Sequence, residues 1–113
     1  MHELSIAQSV ITIVESSLPI SFSGKITSVS IQVGRLSGIE IDALAFSFSI
    51  LKEKSKLKNA ELNIENVQAL AECKNCHRIF EIRAYGDPCP DCLSYSNLII
   101  KGREMKVLNV MID

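Results

Sequence analysis

The sequence has no surplus of basic residues: 12 lysines and arginines stand against 13 aspartates and glutamates, and the net charge is −1 at pH 7. Binding to a nucleic-acid backbone needs clustered positive charge, so this balance argues against DNA or RNA as a partner. The chain also lacks a long apolar run near its start, because Ser, Gln and Thr interrupt the apolar positions up to Val14. We therefore expect neither a secretion signal nor a membrane span, and a cytoplasmic protein.

Nothing in the sequence resembles a nucleophile beside a base, a phosphate-binding loop or a pair of catalytic carboxylates, so we do not expect an enzyme. The 113 residues are enough for one core and too few for two independent ones. Any second unit must therefore be stabilised by something other than apolar burial. The four cysteines are the candidates, because cysteine pairs in a reducing compartment are more often metal ligands or redox centres than disulfides.

The spacing of apolar residues predicts an α+β fold. Apolar residues recur at helical steps over Leu4–Leu18, and Pro19 with Gly24 ends this helix. Residues 25–34 alternate with a two-residue period, which is typical of a half-buried strand. After the loop GRLSG, helical spacing resumes over Ile41–Leu51, although alternating residues in its second half also fit a strand.

Two later stretches break the simple alternation. Leu62 and Ile64 face one way, and apolar residues resume at Val67 one residue out of phase, which predicts a bulge near Asn66. The final stretch MKVLNVMID is apolar on both faces, so we expect it in the middle of a sheet. The predicted architecture is two helices packed on a small mixed β-sheet, with a zinc-ribbon-like module inserted before the last strand.

The inserted module, CKNCHRIFEIRAYGDPCPDC, contains two CxxC pairs. Two residues between cysteines let a tight turn aim both sulfurs at one ion, and two such turns complete a tetrahedral S4 shell suited to zinc or iron. The connecting residues are expected to form a short hairpin. Because few of them are apolar, bound metal must supply the folding energy, on the order of 10 kcal/mol or more. The predicted ligands are Cys73, Cys76, Cys89 and Cys92.

The sequence of the module also allows other interpretations. A dithiol redox pair usually uses one CxxC beside a βαβ pattern and not two facing each other. His77 follows Cys76 and becomes a metal ligand only if a thiolate is lost, so an exposed polar residue is the simpler interpretation. Basic residues inside the module are matched by acidic ones, which argues against a phosphate-binding face.

The opening residues MHE form a candidate chelator. Methionine removal requires a small second residue, so Met1 is expected to keep its α-amine beside His2. The amine, the amide and ring nitrogens of His2, and Glu3 as a further donor suit a nitrogen-rich tetragonal site for Ni(II) or Cu(II). Taken alone, however, these residues fit better as the polar start of a helix, where the dipole favours Glu3.

The opening MHELS, the loop GRLSG, the two late CxxC pairs and the closing GREMKV together resemble the HypA/HybF family of hydrogenase nickel-incorporation proteins, essentially end to end. The resemblance implies a metallochaperone that delivers nickel during NiFe hydrogenase maturation and, in some organisms, supports urease maturation. It implies a HypB-type GTPase and the hydrogenase large subunit as partners, and it leaves a homodimer open. His2 would be the nickel ligand, with the Met1 amine and Glu3 nearby, while the four cysteines hold a structural zinc.

On this resemblance, residues 1–71 with 99–113 form a nickel-binding α+β domain, and residues 72–98 form a zinc-binding module. The competing interpretation is a zinc-ribbon module that binds a protein or nucleic acid, in which the opening residues are incidental.

Three positions depart from the family pattern. Arg35 stands where members usually have Glu, and His77 and Leu93 replace the glycines that commonly follow each CxxC, so knuckle geometry or zinc affinity is expected to differ. Glu40 and Asp42 are candidate carboxylate ligands for nickel, but capping of the second helix is the simpler role.

Overall fold

The computed structural model describes residues 3–113, which form two α-helices and six β-strands arranged in two three-stranded sheets. This arrangement confirms the predicted α+β class. Among the described residues, neither helix has the length and apolar character that a membrane span requires. A short 3-10 helix, Lys52–Lys54, follows the second helix. The elements are α1 (Glu3–Ser17), β1 (Ile26–Gly34), α2 (Ile41–Leu51), β2 (Glu61–Val67), β3 (Ala69–Cys73), β4 (Ile79–Ile82), β5 (Asn97–Lys101) and β6 (Met105–Ile112).

The two helices and the sheet β2-β1-β6 form what we call the helical lobe. α1 buries Ala7, Val10 and Val14, which repeat at three- and four-residue steps and so share one face. α2 buries Leu44 and Phe48 in the same core, which decides between the helix and the strand that its sequence allowed. Both predicted helices are therefore confirmed.

β1 is the central strand of this sheet. Its residues Val29, Ile31 and Val33 are buried beneath the helices, as the two-residue period predicted. β2 runs parallel to β1, a pairing that needs a crossover connection, and α2 supplies it.

The prediction that the last strand lies in the middle of a sheet is wrong. β6 pairs antiparallel with β1 and forms an edge of the sheet. One extra residue, Leu108, lies between the β6 residues that pair with Ser30 and Ile31. This bulge shifts the phase of the inward-facing side chains, so Val107 and Val110 both pack on the core. The sequence therefore has apolar residues in both phases although only one face is covered.

The prediction of a bulge near Asn66 is also wrong. The change of phase marks a change of sheet: β2 ends at Val67, and β3 begins at Ala69 in the second sheet, β4-β3-β5. We call the second sheet and its loops, residues 69–101, the cysteine lobe. The hairpin predicted between the knuckles is absent among the described residues, because β4 pairs instead with β3, the strand that precedes the first CxxC.

The lobes have separate cores, and the molecule is elongated. Its extents are 56 × 23 × 16 Å and its radius of gyration is 17.5 Å, whereas a compact domain of this length has a radius of about 13 Å. The cysteine lobe has a small buried cluster, in which its largest apolar side chains are Phe80 and Ile82 and to which Leu36 is added from the helical lobe. How the chain divides into domains in solution stays a prediction.

Two glycines, one crowded and one in open space, allow the packing at the junction of the lobes to be tested. Gly102 has φ +102°, and a Cβ there would overlap the backbone of Ala69. Gly102→Ala is expected to lower the free energy of unfolding by about 3–4 kcal/mol, from steric overlap together with left-handed backbone strain. Gly38 has φ +78° but nothing within 4 Å of an added Cβ, so Gly38→Ala should cost only about 1 kcal/mol. Urea denaturation of both variants measures the difference; equal losses would contradict the close packing at Gly102.

Candidate functional site

The four cysteine sulfurs form one cluster. Their Sγ atoms all lie within 4.8 Å of one another, with Cys73 to Cys92 at 3.5 Å and Cys76 to Cys89 at 3.6 Å. A tetrahedral zinc with bonds of about 2.3 Å places its sulfurs about 3.8 Å apart, so the cluster matches the size of an S4 metal site. The predicted juxtaposition of the two CxxC pairs is confirmed.

Each knuckle positions its sulfurs through backbone hydrogen bonds. β3 ends at Cys73, whose Sγ accepts hydrogen bonds from the amides of Asn75 and Cys76 at 3.4 Å, and the His77 amide donates to the Cys73 carbonyl at 2.9 Å. The second knuckle repeats the turn, because the Leu93 amide donates to the Cys89 carbonyl at 2.9 Å. The bonds to sulfur are those that stabilise thiolate ligands.

Hydrogen bonds within the cluster favour negative charge on one sulfur. The side chain of Asn75 and then the amide of Ser94 donate to Cys92 and lower the pKa of its thiol to about 6. At Cys76 a hydrogen bond donated by the Arg78 amide lowers the pKa of the thiol, but desolvation and hydrogen bonds with the other three thiols outweigh it and raise the pKa to about 12. Cys92 is therefore the cysteine of the cluster whose thiolate is most favoured, and a bound metal displaces the protons of the remaining thiols.

The structure describes only one of the three residues predicted to bind nickel. Met1 and His2 lie outside the described residues. Glu3 is in the first turn of α1, and its Oε2 accepts a hydrogen bond from the Glu40 amide at 3.1 Å. Glu40 in turn caps α2, since its Oε1 accepts from the Asp42 amide at 2.9 Å. The capping role of Glu40 is confirmed, and its contact with Glu3 joins the amino-terminal cap of α2 to the first turn of α1.

Comparison with known proteins decides the family. Residues 1–112 match the family model described as hydrogenase/urease nickel incorporation, metallochaperone, hypA. The chain belongs to the HypA family. The hydrogenase maturation factor HypA of Geobacter metallireducens is 36% identical over 113 residues, covering 100% of both chains. That of Francisella philomiragia is 34% identical over the same length, again with 100% of both chains covered.

The fold agrees with a solved HypA structure. The solution structure of the Ni metallochaperone HypA from Helicobacter pylori is 30% identical and superposes with a TM-score of 0.70, covering 99% of this chain and 97% of that one. The relatives are named as hydrogenase maturation factors, and the family model is described by nickel incorporation.

The two knuckle positions that depart from the HypA pattern keep the glycine conformation. His77 has φ 65° and Leu93 has φ 63°, and no other non-glycine residue in the described chain has a positive φ. A side chain in this left-handed region costs roughly 1 kcal/mol or more. The knuckles therefore keep the same turn at both positions, and the departure appears as backbone strain.

Restoring glycine at either knuckle is expected to stabilise the metal-loaded lobe. His77→Gly and Leu93→Gly should each raise its free energy of unfolding by about 0.5–1 kcal/mol, because glycine adopts a positive φ without steric cost. The corresponding rise in Tm is about 2–8 °C, measured by calorimetry with metal bound. The alanine variants at the same positions keep the strain, so a similar gain in them would contradict this origin.

His77 lies at the surface of the first knuckle. Its Nδ1 is 3.6 Å from Glu72 Oε2, and both side chains are largely exposed. Among the described residues, the metal-ligand cluster consists of the four cysteines without His77. This placement agrees with the simpler interpretation, an exposed polar residue.

The contacts between the lobes were not predicted from the sequence. Arg35 NH1 lies 3.5 Å from Glu81 of β4, so the position that departs from the family pattern joins the two lobes. The Tyr85 hydroxyl donates to the Leu36 carbonyl at 3.0 Å. No local pattern marks these contacts, because each pair is separated by more than forty residues of sequence.

Proposed function

We propose that this HypA protein is a nickel carrier without catalytic activity, and that its cysteine lobe holds a structural zinc. The match to the family model over residues 1–112 carries the proposal, because the candidate chelator His2 lies inside the matched segment. The carrier delivers Ni(II) to a NiFe hydrogenase, with urease as a second recipient in organisms that make it.

The nickel site is assigned to the first three residues. The His2 ring nitrogen, the Met1 α-amine and the neighbouring backbone nitrogens form a nitrogen-rich set of the kind that Ni(II) prefers. Glu3 completes the assignment. The bond from the Glu40 amide to Glu3 supports it, because this bond ties the residue beside His2 to the start of α2.

The zinc site is assigned to Cys73, Cys76, Cys89 and Cys92. Sulfur separations of 3.5 and 3.6 Å support a tetrahedral ion. Four thiolates leave no open position for a substrate, as in structural zinc sites. Zinc bound there supplies folding energy to a lobe that has only a small apolar core.

The partners follow from the family. We propose a HypB-type GTPase and the hydrogenase large subunit as protein partners, with the carrier working in the cytoplasm as a monomer or homodimer. Balanced charge supports a role that involves neither nucleic acid nor a membrane surface.

A nickel titration of the untagged protein tests this function. We expect one Ni(II) per chain with the d–d absorption of a nitrogen-rich low-spin site, zinc retained, and transfer of the nickel to a metal-free hydrogenase large-subunit precursor. Zinc retention without nickel binding would overturn the carrier assignment and favour a zinc-ribbon interaction module. Salt-dependent binding of RNA or DNA in that case would identify a nucleic-acid partner.

A further inference from the structure

We propose that the outward face of the sheet in the cysteine lobe docks an amphipathic helix of a partner protein, whose aliphatic stripe carries one lysine or arginine. The inward face of this sheet covers the buried cluster that includes Phe80 and Ile82. Successive side chains of a strand point to opposite faces, so the residues between the buried ones point away from that cluster. On the central strand β3 these outward residues are Leu70 and Glu72.

The strand register places aliphatic side chains together on this outward face. Leu98 of β5 and Ile79 of β4 both pair with Glu72, one on each side. Leu70 lies two residues before Glu72 on the same strand, and Ile100 is the extra residue of a bulge in β5. Leu98, Ile79 and Ile100 are each between 47% and 56% exposed. Three aliphatic side chains therefore share the outward face, with Ile100 beside them at the bulge.

The sheet of the helical lobe has a different outward face. Its central strand β1 buries one set of alternate residues under the helices, and the outward set consists of Ser28, Ser30 and Gln32. Polar outward residues are typical of a sheet that is covered on one face only. Aliphatic residues on both faces, as in the cysteine lobe, are typical of a sheet between two layers. The cluster on the inward side is one layer, and a docked partner supplies the other.

Glu72 determines the charge that the partner must carry. Its carboxylate lies among the aliphatic side chains of the face, and its one ion-pair partner among the described residues is the largely exposed His77, at 3.6 Å. The other outward acid, Glu81, already has Arg35 at 3.5 Å. A covering segment removes water from the Glu72 carboxylate, which is costly unless a cation pairs with it. The occupant therefore has a lysine or arginine within its aliphatic stripe.

The size of the face fits one helix. Strands of four or five residues are about 13–17 Å long, and the two outer strands of three lie about 10 Å apart. An α-helix with its side chains is about 10 Å wide, and three turns of it are about 16 Å long. In the helical lobe, α1 and α2 cover the longer strands in the same manner. A single amphipathic helix of about three turns therefore covers the outward face.

Synthetic helical peptides titrated into the zinc-loaded full-length protein, followed by NMR, test this proposal. One peptide of about 15 residues carries a leucine stripe with a central lysine, and its control has glutamate in place of that lysine. We expect the lysine peptide to bind about fivefold more tightly, with chemical-shift changes in β3, β4 and β5. Glu72→Lys should reverse the preference, and Glu72→Gln should reduce it. Equal binding of both peptides by the native protein, or shift changes confined to the helical lobe, would overturn the proposal.

Two exposed leucines on edge strands provide a matched pair of variants. Leu98 in β5 is 52% exposed, and Leu108 in β6 is 44% exposed. Leu98→Ser should weaken binding of the lysine peptide about tenfold, because the burial of its side chain against the peptide is lost. Leu108→Ser should bind the peptide like the native protein. Zinc content measured in both variants checks that the lobe is intact, and equal losses of peptide binding would contradict docking on this face.

Sedimentation without peptide distinguishes a partner helix from a second copy of the chain. We expect no self-association that depends on Leu98. A dimer that forms with rising concentration and is abolished by Leu98→Ser would make a second copy the occupant and overturn the partner helix. None of these measurements uses nickel, so their failure leaves the proposed carrier function untouched, and a failure of nickel binding leaves the docking face untouched.

Discussion

Serine at Cys89 is expected to empty the cysteine lobe of metal and unfold it. Cys89 is fully buried, and its Sγ lies 3.6 Å from that of Cys76, so the variant leaves three thiolates and a hydroxyl that is a poor zinc ligand. Structural zinc contributes on the order of 10 kcal/mol or more to such folds. That is comparable to the whole stability of an ordinary domain. The apolar core of this lobe is too small to replace it.

Two measurements check the result: zinc content by mass spectrometry under native conditions, and circular dichroism. We expect about one zinc per native chain and almost none in Cys89→Ser. The strand signal of β3, β4 and β5 should be lost, and the signal of the helices and of β1, β2 and β6 should be kept, because those elements pack in the other core. Lys74→Ser is the matched control, since it places serine at an exposed position within the first CxxC. A Cys89→Ser protein that kept zinc and the full strand signal would contradict a structural S4 site.

His2→Ala is expected to abolish nickel binding while zinc stays in place. The variant removes the only imidazole in the proposed tetragonal site, and loss of a direct ligand should cost more than the 10- to 100-fold typical of losing a supporting contact. The chain contains just one other histidine, His77, which is exposed on the first knuckle. His77→Ala is therefore the matched control and should bind nickel like the native protein.

Isothermal titration with Ni(II), with zinc measured before and after, distinguishes the possible outcomes. Loss of nickel in both histidine variants would indicate a shared site that includes the knuckle. Retention in His2→Ala with loss in His77→Ala would move nickel to the cysteine lobe and contradict the assignment to the first residues. Retention in both would exclude imidazole as an essential ligand.

The elements that the sequence predicted well are those with a local signal. α1 and β1 follow directly from their periods, because each buries one face against a single core. The cysteine cluster could also be predicted, because CxxC spacing by itself places two sulfurs where they can bind one ion. Glu40 was assigned as a cap from its position before an apolar helix, and its bond to Asp42 confirms it.

The features that could not be predicted from the sequence depend on strand pairing and packing between segments that are far apart along the chain. A change of phase at Asn66 has the same appearance whether it arises from a bulge or from a strand that moves to another sheet, and only the pairing of β3 decides. The bulge at Leu108 made an edge strand resemble a central one. Leu36 had no visible role, because its partners Cys73 and Cys89 come from segments far along the chain.

The order of strands also bears on how the chain folds. β1 cannot complete its sheet until β6 is made, because Ile26 pairs with Ile112 near the other end of the sequence. About 37 residues separate β2 from β6, but pairing of Leu70 with Lys101 brings the two ends of the cysteine lobe together. Once that lobe has formed, only the few residues that join it to β2 and β6 still have to close into a loop. The entropic cost of pairing β6 with β1 is then lower by about 2 kcal/mol. Zinc that is present while the chain folds should therefore set the folding rate of the helical lobe as well as the stability of the cysteine lobe.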